Sequence, residues 1–205
     1  MNKILLGTSN KGKVNELKRI LKDGFEKNGL DIEILSLNDF ESVESPVEDG
    51  KTFMDNALIK ANYYYNHFNI PVITDDSGLI VDALNGAPGV YSARYSSNPE
   101  KIDQDKANRD KLLSDLKNIE NREGRYYCAI VFYDGNTYIK TTGTTEGYIL
   151  KEEIGNNGFG YDCIFYANEY NDSIASLSDE KKDEISHRGK ALRELQEQLI
   201  VFCQK

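Results

Sequence analysis

The chain has 205 residues, of which 39% are hydrophobic and 29% charged; this composition excludes a disordered protein and fits one folded domain that can divide into two lobes. Its 34 acidic and 25 basic residues give a net charge of −9, which argues against a nucleic-acid partner, because such binding needs broad neutralisation of phosphates by Lys and Arg. No apolar run is long enough for a membrane span or a signal peptide, and the three cysteines lack the spacing of disulfide or zinc sites, so we expect a cytoplasmic protein.

The front of the chain alternates predicted strands and helices. Residues 3–6 are predicted to form a strand that leads into a polar loop at residues 8–13, and apolar residues at helical spacing predict a helix after it. A second strand is predicted over residues 32–35. A further helix is predicted over residues 52–66, with Thr52 as its N-cap and one apolar face made of Phe53, Ala57, Ala61 and Tyr64.

The segment from Thr74 to Tyr95 opens with two adjacent carboxylates, Asp75 and Asp76. They follow the short apolar run at residues 71–73, which indicates a buried strand, so we expect them at the end of that strand, where α/β sheets usually place their chemistry. Adjacent acids repel each other, and hard oxygen ligands of this kind suit Mg²⁺. The alternative is an acidic turn in which both carboxylates are simply solvated.

The second half of the chain changes character. A polar helix is predicted over residues 103–118, and Asp134-Gly135-Asn136 between two strand-like runs predicts a hairpin. A strand near residues 162–166 and a final helix over residues 187–202 complete the pattern. This order predicts a mixed α/β (α+β) fold with a mixed sheet flanked by helices, and an active-site cleft between two lobes would fit it.

The polar loop at residues 8–13 is the first candidate site. Backbone N–H groups at a helix N-terminus attract anions, and nearby hydroxyl and Lys donors strengthen such a site. The spacing is not that of a Walker A loop, so P-loop ATPase chemistry is not predicted. Phosphate binding and simple helix capping are both open interpretations of its six residues, Thr8, Ser9, Asn10, Lys11, Gly12 and Lys13.

Three further segments carry candidate residues, each with a structural alternative. Glu48 is either a third carboxylate for a metal or an acid favoured by a helix dipole, and Lys60 can reach a phosphate or point to solvent. The glycines and aromatic residues at 158–162 can stack on a flat ligand or form a turn. The basic cluster at residues 181–190 can meet phosphates and a purine carbonyl, or form a solvated face.

Five motifs occur in order along the chain: TSNKGK, EDGKTFMDNALIKA, TDDSGLIVDALNGAPGVYSARY, GFGYD and SHRGKAL. Together they strongly resemble the inosine triphosphate pyrophosphatase family, also called non-standard purine NTP pyrophosphatases or XTP/dITP diphosphatases. The resemblance runs nearly end to end and is weak at about residues 22–45 and 97–150. It implies a single domain over residues 1–205, with two α/β lobes around a long mixed sheet, an active site in the cleft and usually a homodimer. It also implies Mg²⁺-dependent hydrolysis of ITP, dITP and XTP to the monophosphate and pyrophosphate.

The resemblance further implies roles for individual residues. The loop from Thr8 to Lys13 would bind the triphosphate together with Lys60, and Ser77 would contact the substrate. Glu48 and Asp76 would hold the metal. The catalytic residues would be Asp76 as general base, Asp75 beside it, and Lys13.

The base would be held by the segment Phe159, Gly160, Tyr161 and Asp162, aided by Lys182, His187 and Arg188. Lys181 precedes the lysine that best fits the family spacing, so either Lys181 or Lys182 can be the ligand contact. Hypoxanthine and xanthine present a carbonyl at C6, where adenine presents an amine. Donors aimed at that position would reject ATP, because each buried donor left unpaired costs about 1–3 kcal/mol.

Three other functions are alternatives to this one. A Maf-like pyrophosphatase acting on pyrimidine or modified nucleotides would have a related fold, and base preference separates it from the purine enzyme. A nucleotide-binding regulator without turnover would not need the metal carboxylates. A scaffold has no heptad pattern or repeat array to support it, and metal-dependent turnover would exclude it.

Overall fold

The computed structural model of the protein describes residues 1–97 and 103–203. Its strands are β1 (Lys3–Leu6), β2 (Glu33–Ser36), β3 (Val72–Val81), β4 (Glu123–Tyr133), β5 (Tyr138–Ile149), β6 (Phe165–Ala167) and β7 (Asp172–Ser173). In the described residues they form one sheet of seven strands in the order β2-β1-β3-β4-β5-β6-β7. β1 pairs in parallel with β2 and β3, whereas β6 pairs antiparallel with β5 and β7. The mixed α/β fold predicted from the sequence is confirmed.

The described α-helices are α1 (Lys11–Lys27), α2 (Phe53–Phe68), α3 (Gln104–Asp115), α4 (Asp179–Ile185) and α5 (His187–Cys203). The N-cap predicted for α2 is confirmed: Thr52 accepts a hydrogen bond from the Asp55 backbone N–H, and the Asp55 carboxylate accepts one from the Thr52 backbone N–H. None of the helices in the described ranges has the length and apolarity needed to cross a membrane. The short helix α4 was not predicted.

The strand that carries the paired carboxylates is longer than its sequence predicts. β3 continues through Asp75 and Asp76 to Val81, so the prediction that these acids end the strand is wrong. The polar residues at 74–78 indicated that the strand ends there. Leu79 and Val81 are fully buried, however, so the strand continues past the polar residues in the core. Asp75 and Asp76 therefore lie within the strand, and the extended backbone fixes the directions of their side chains better than a loop would.

Two other boundaries differ from the predictions. The polar loop is shorter than residues 8–13, because Asn10 is the N-cap and α1 already begins at Lys11. The segment predicted as a strand near residues 162–166 begins with a 3-10 turn at Asp162–Ile164 and becomes extended only at Phe165.

The chain divides into two compact units. Unit 1 comprises Met1–Asp76, Cys128–Gly143 and Arg188–Lys205, and unit 2 comprises Ser77–Tyr127 and Thr144–His187. In unit 1, α1 and α5 pack on β1, β3 and β4 through a core that includes Leu17, Leu21, Leu192, Leu195, Leu6 and Ile130. In unit 2, a separate core includes Leu112, Leu116, Ile185, Leu79, Ile149 and Phe165.

Candidate functional site

Asp75 and Asp76 are adjacent on β3 but have different partners. Side chains of successive strand residues point to opposite faces of a sheet. The Oδ2 of Asp75 lies 2.8 Å from Lys13 Nζ and 3.4 Å from Arg188 Nε. The Oδ2 of Asp76 instead accepts a hydrogen bond of 3.0 Å from the Asn56 side-chain amide. The pair predicted from the sequence is thus split between two sets of contacts in unit 1.

Asp75 belongs to a buried chain of charges. Its side chain is 1% exposed, and the guanidinium of Arg188 also donates a close hydrogen bond to Glu16. Burial raises the pKa of Asp75, but the attraction of Lys13, Arg188 and Lys60 outweighs burial and holds that pKa well below its usual value. Asp75 therefore remains ionised and orients Lys13 and Arg188, both of which are predicted site residues.

Asp76 and Glu48 meet at Lys60 of α2. Lys60 Nζ lies 2.8 Å from Glu48 Oε2 and 3.5 Å from Asp76 Oδ1. Burial raises the pKa of Asp76 and exceeds the opposing effects of Lys60 and of the Asn56 hydrogen bond. Burial lowers the pKa of Lys60, but the negative charges of Asp76, Asp75 and Glu48 raise it by a larger amount. The pKa of Lys60 is therefore above its usual value. The ammonium group is therefore a stable positive charge between two carboxylates.

The donor set of this cluster fits a magnesium ion. The described residues contain no group of three His, Cys, Asp or Glu side chains arranged to hold a metal. Mg²⁺ usually takes only one or two protein carboxylates, with water and substrate phosphates supplying its other oxygen ligands. Glu48 and Asp76 already direct carboxylate oxygens at one positively charged atom, Lys60 Nζ. These two residues could hold such an ion.

The loop that precedes α1 is shaped by its own side chains. Thr8 Oγ1 accepts a hydrogen bond from the Asn10 backbone N–H, and Asn10 Oδ1 accepts one from the Lys13 backbone N–H. The Ser9 carbonyl accepts a hydrogen bond from the Asn38 side chain. Lys11 and Gly12 begin the helix, so this segment combines a helix N-terminus with the ammonium groups of two lysines.

The segment predicted to hold a base lies in unit 2 and is organised by Asp162. Its Oδ2 accepts hydrogen bonds from the Phe159 backbone N–H at 3.0 Å and from Lys182 Nζ at 2.8 Å. Lys182 Nζ also lies 4.8 Å from the centre of the Phe159 ring. Lys181 instead contacts the ring of Tyr170. Of the two lysines left open by the sequence, Lys182 is the one that contacts this segment.

Glycine is required at position 158. Gly158 has a φ of +85°, and a Cβ built there would lie 2.1 Å from Asp162 Oδ2. Two residues of α3 bind the backbone of Gly160. Asp105 accepts a hydrogen bond from the Gly160 N–H, and Arg109 donates one to the Gly160 carbonyl, each at 3.0 Å. The turn therefore has a fixed backbone.

The aromatic residues of unit 2 take different positions. Tyr161 is buried, and its hydroxyl donates a hydrogen bond of 2.8 Å to the Ser92 carbonyl, whereas Phe159 is only partly buried. The ring of His187 stacks on Tyr126, with centroids 4.6 Å apart and planes 6° from parallel. Phe159 is thus the more accessible of the two predicted stacking residues.

Sequence reasoning missed several residues that hold the predicted ones. Asn56 binds Asp76, Glu16 binds Arg188, and Tyr126 binds Asp162 and His187. Asn56 stands one helical turn before Lys60, which is a signal that could have found it. Glu16 and Tyr126 meet their partners only through the fold, and no local pattern identifies them. Ser77, which was predicted to contact the substrate, follows Asp76 within β3.

The chain matches known proteins over almost its whole length. The chain is 46% identical over 204 residues to the dITP/XTP pyrophosphatase of Bacillus anthracis, which covers 97% of this chain and 96% of that protein. The Ham1 protein of Staphylococcus aureus has a similar structure, with a TM-score of 0.82, 37% identity and coverage of 97% and 98% of the two chains. A HAM1 protein of Coxiella burnetii gives a TM-score of 0.84 at 36% identity, with the same coverage.

These similarities show that the chain is an α/β protein with the fold of the Ham1 structures. The sequence matches the Ham1 family over residues 4–198, and the chain belongs to that family. The resemblance found from the five motifs is confirmed.

Proposed function

We propose that the protein hydrolyses the non-standard purine nucleoside triphosphates ITP, dITP and XTP to the monophosphate and pyrophosphate. The observation that carries the proposal is the convergence of Glu48 and Asp76 on Lys60, beside the ion pair of Asp75 with Lys13. Such a cluster combines metal-binding oxygens with phosphate-binding cations. The dITP/XTP pyrophosphatase activity named for the Bacillus anthracis relative supports two of these substrates, dITP and XTP. The role of the enzyme would be to remove deaminated purines from the nucleotide pool.

The proposed cofactor is Mg²⁺, held by Glu48 and Asp76. When bound, it would neutralise phosphate charge and assist the departure of pyrophosphate. The limited exposure of the two side chains, 28% for Glu48 and 13% for Asp76, supports this assignment, because their negative charge is poorly compensated by water.

The residues of the chain would share the remaining work. Lys13 and Lys60 would neutralise the triphosphate, and the backbone N–H groups at the start of α1 would bind its oxygens, with Thr8 and Ser9 beside them. Asp76 would accept a proton from the attacking water. The water oxygen would bond to the α-phosphorus, the bond from that phosphorus to the bridging oxygen would break, and pyrophosphate would leave with the electron pair. Asp75 would orient Lys13.

We assign recognition of the purine to Phe159, Gly160, Tyr161 and Asp162, with Lys182, His187 and Arg188. Phe159 would stack on the base, and Asp162 and His187 would meet its polar edge. The buried contacts of Arg188 with Asp75 and Glu16 support an indirect role for this residue, through Asp75. Ser77 would contact the substrate from its position next to Asp76.

We also propose that the chain forms one two-lobed domain and that it acts as a homodimer in the cytoplasm. The division into two compact units supports the two-lobe organisation, and the resemblance to the pyrophosphatase family supports the dimer. Sedimentation equilibrium would give a mass twice that of the chain if the dimer forms.

The deciding experiment measures pyrophosphate release from ITP, XTP, GTP, ATP, dTTP and UTP, each with Mg²⁺ and with EDTA. Release that requires metal and is fastest for ITP and XTP is the expected result. Turnover confined to dTTP and UTP would replace the proposal with a Maf-like activity. Absence of turnover with every substrate would leave a nucleotide-binding protein.

A further inference from the structure

Tyr126 of β4 contacts two residues that were assigned to base recognition. Its hydroxyl donates a hydrogen bond of 3.1 Å to Asp162 Oδ1, and its ring stacks on His187 with centroids 4.6 Å apart. A third contact, with the ring of Phe165 at 4.8 Å and 59°, fixes Tyr126 in the core of unit 2. Tyr126 is only 7% exposed, so it supports the site from within and does not line it.

The hydroxyl of Tyr126 completes the hydrogen bonding that orients Asp162. The Oδ2 atom is fixed by Lys182 and by the Phe159 backbone, while the described donor to Oδ1 is Tyr126. A carboxylate fixed through both oxygens cannot rotate about its last side-chain bond, whereas one fixed through a single oxygen can. Burial and the negative charge of Asp162 raise the pKa of Tyr126 well above its ordinary value. The phenol therefore remains a donor at neutral pH.

The ring of Tyr126 has a separate effect on His187. The two ring planes are 6° from parallel, so the imidazole cannot turn about its own axis without losing the stack. The stack consequently fixes the plane in which both imidazole nitrogens lie. A histidine oriented in this way can present a donor to one position of a ligand and not to others.

We infer that Tyr126 is a positioning residue for purine recognition, holding the carboxylate of Asp162 and the imidazole of His187 in one fixed mutual geometry. The inference rests on the proposed function and deepens it, since it assigns to Tyr126 an effect on the base and none on the phosphates. Tyr126 is not a catalytic residue, because it acts through two neighbours.

The test uses Tyr126→Phe, which removes the donor and keeps a ring of the same size. Calorimetry would measure the Kd of inosine 5′-monophosphate, which carries the base, and of inorganic tripolyphosphate, which does not. We expect the Kd of inosine monophosphate to rise about fivefold to tenfold, as for loss of one ordinary hydrogen bond, because Tyr126 acts on the ligand only through its neighbours. The Kd of tripolyphosphate should stay within twofold, which also shows that the variant is folded.

Kinetics with ITP provide a second readout. Because the base contacts are made before and during reaction, KM should rise by the same factor with kcat within twofold. Tyr133→Phe is the matched control: Tyr133 lies on the same strand, and its hydroxyl donates to the Gly135 carbonyl at 3.1 Å. Its KM should equal that of the wild type. Tyr126→Leu, which also removes the stack on His187, should raise the Kd of inosine monophosphate further than Tyr126→Phe does.

The inference is overturned if Tyr126→Phe binds inosine monophosphate within twofold of the wild type. It is also overturned if the variant loses affinity for inosine monophosphate and tripolyphosphate equally, because Tyr126 would then act on the whole site. Failure of the wild-type protein to bind inosine monophosphate or to hydrolyse ITP would overturn the proposed function itself. That result is separate, since it is seen before any variant is made.

Discussion

Lys13 and Asp75 form an ion pair in which Nζ and Oδ2 are 2.8 Å apart and the carboxylate is 1% exposed. The side chain of Lys13 is 18% exposed, so a buried anion pairs with a cation whose side chain reaches the surface. Asp75 therefore orients the ammonium group of Lys13, whereas the resemblance alone placed Asp75 only beside the general base.

Asp75→Asn should lower both stability and activity. The neutral amide leaves Lys13 and Arg188 without their shared anion, and removing one partner of a buried pair destabilises by about 3–5 kcal/mol. Urea unfolding would measure the change in the free energy of unfolding. Asp82→Asn, at an ion pair that is about one third exposed, should change it by less than about 1 kcal/mol. Equal stabilities for the two variants would contradict the role given to Asp75.

Asp76→Asn should abolish turnover of ITP and keep part of the nucleotide affinity. The amide retains the size of the side chain but cannot accept the proton of water and is a weaker metal ligand. We expect kcat to fall by at least about 10²-fold, as is typical for loss of a general base. Pyrophosphate release and calorimetry with inosine monophosphate would separate turnover from binding, and near-wild-type turnover would exclude the proposed role.

Glu48→Gln should raise the Mg²⁺ concentration needed for half-maximal activity. One of the two carboxylates proposed to hold the ion becomes neutral, while the contact of residue 48 with Lys60 is weakened but not removed. Titration of activity with Mg²⁺ would measure the shift, and excess Mg²⁺ should restore most of kcat. The control is Asp49→Asn at the neighbouring exposed position. Identical titration curves for Glu48→Gln and the wild type would argue against Glu48 as a ligand.

Arg109→Ala should raise the KM for ITP. Arg109 donates to the Gly160 carbonyl at 3.0 Å and lies 2.7 Å from Glu153, so its loss releases the turn that carries Phe159. The expected increase is about tenfold, the lower end of the effect of one charge-assisted hydrogen bond. Arg125→Ala removes a guanidinium that pairs with Asp82 and Glu146 instead, and it should leave KM unchanged. Equal effects of the two variants would indicate a general loss of stability.

Cys128 should resist alkylation in the folded protein. Burial raises the pKa of its thiol to about 12, and the negative charge of Asp75 adds to the effect. At pH 8 the reactive thiolate would amount to only about 10⁻⁴ of the thiol. Mass spectrometry after iodoacetamide treatment should find Cys128 modified only in denaturant, whereas the partly exposed Cys163 and Cys203 react in the native state more readily. Native modification of Cys128 at the rate of Cys203 would contradict the buried environment.

Local sequence signals predicted the elements that depend on local physics. Thr52 followed three residues later by Asp55 is a capping pattern, and the helix begins where that pattern indicates. The residues Asp134-Gly135-Asn136 favour the tight turn of a β-hairpin, and the two strands lie on either side of them. Both predictions needed only neighbouring residues.

Contacts between distant residues could not be predicted in the same way. Glu16 and Arg188 are 172 positions apart, and Tyr126 and Asp162 are 36 apart, so nothing in their neighbourhoods indicates the pairing. The end of β3 was placed too early because the burial of its polar residues depends on partners supplied by α2 and α5, such as the carbonyl of Ala57 for Thr74 and Arg188 for Asp75. Sequence motifs predicted the candidate residues, and the fold determined their contacts.

The discontinuity of unit 1 has a consequence for biosynthesis. Its core needs Leu192, Leu195 and Leu199, and its charge network needs Arg188, all from α5. While α5 is still inside the ribosome, the apolar face of α1 lacks its partner helix and Asp75 lacks the guanidinium of Arg188. The residues of unit 2 leave the exit tunnel earlier, because that unit ends at His187. The nascent chain should therefore acquire its charge network last, and translation arrest before α5 should yield a protein that binds chaperones and lacks the ordered ion pairs of Asp75.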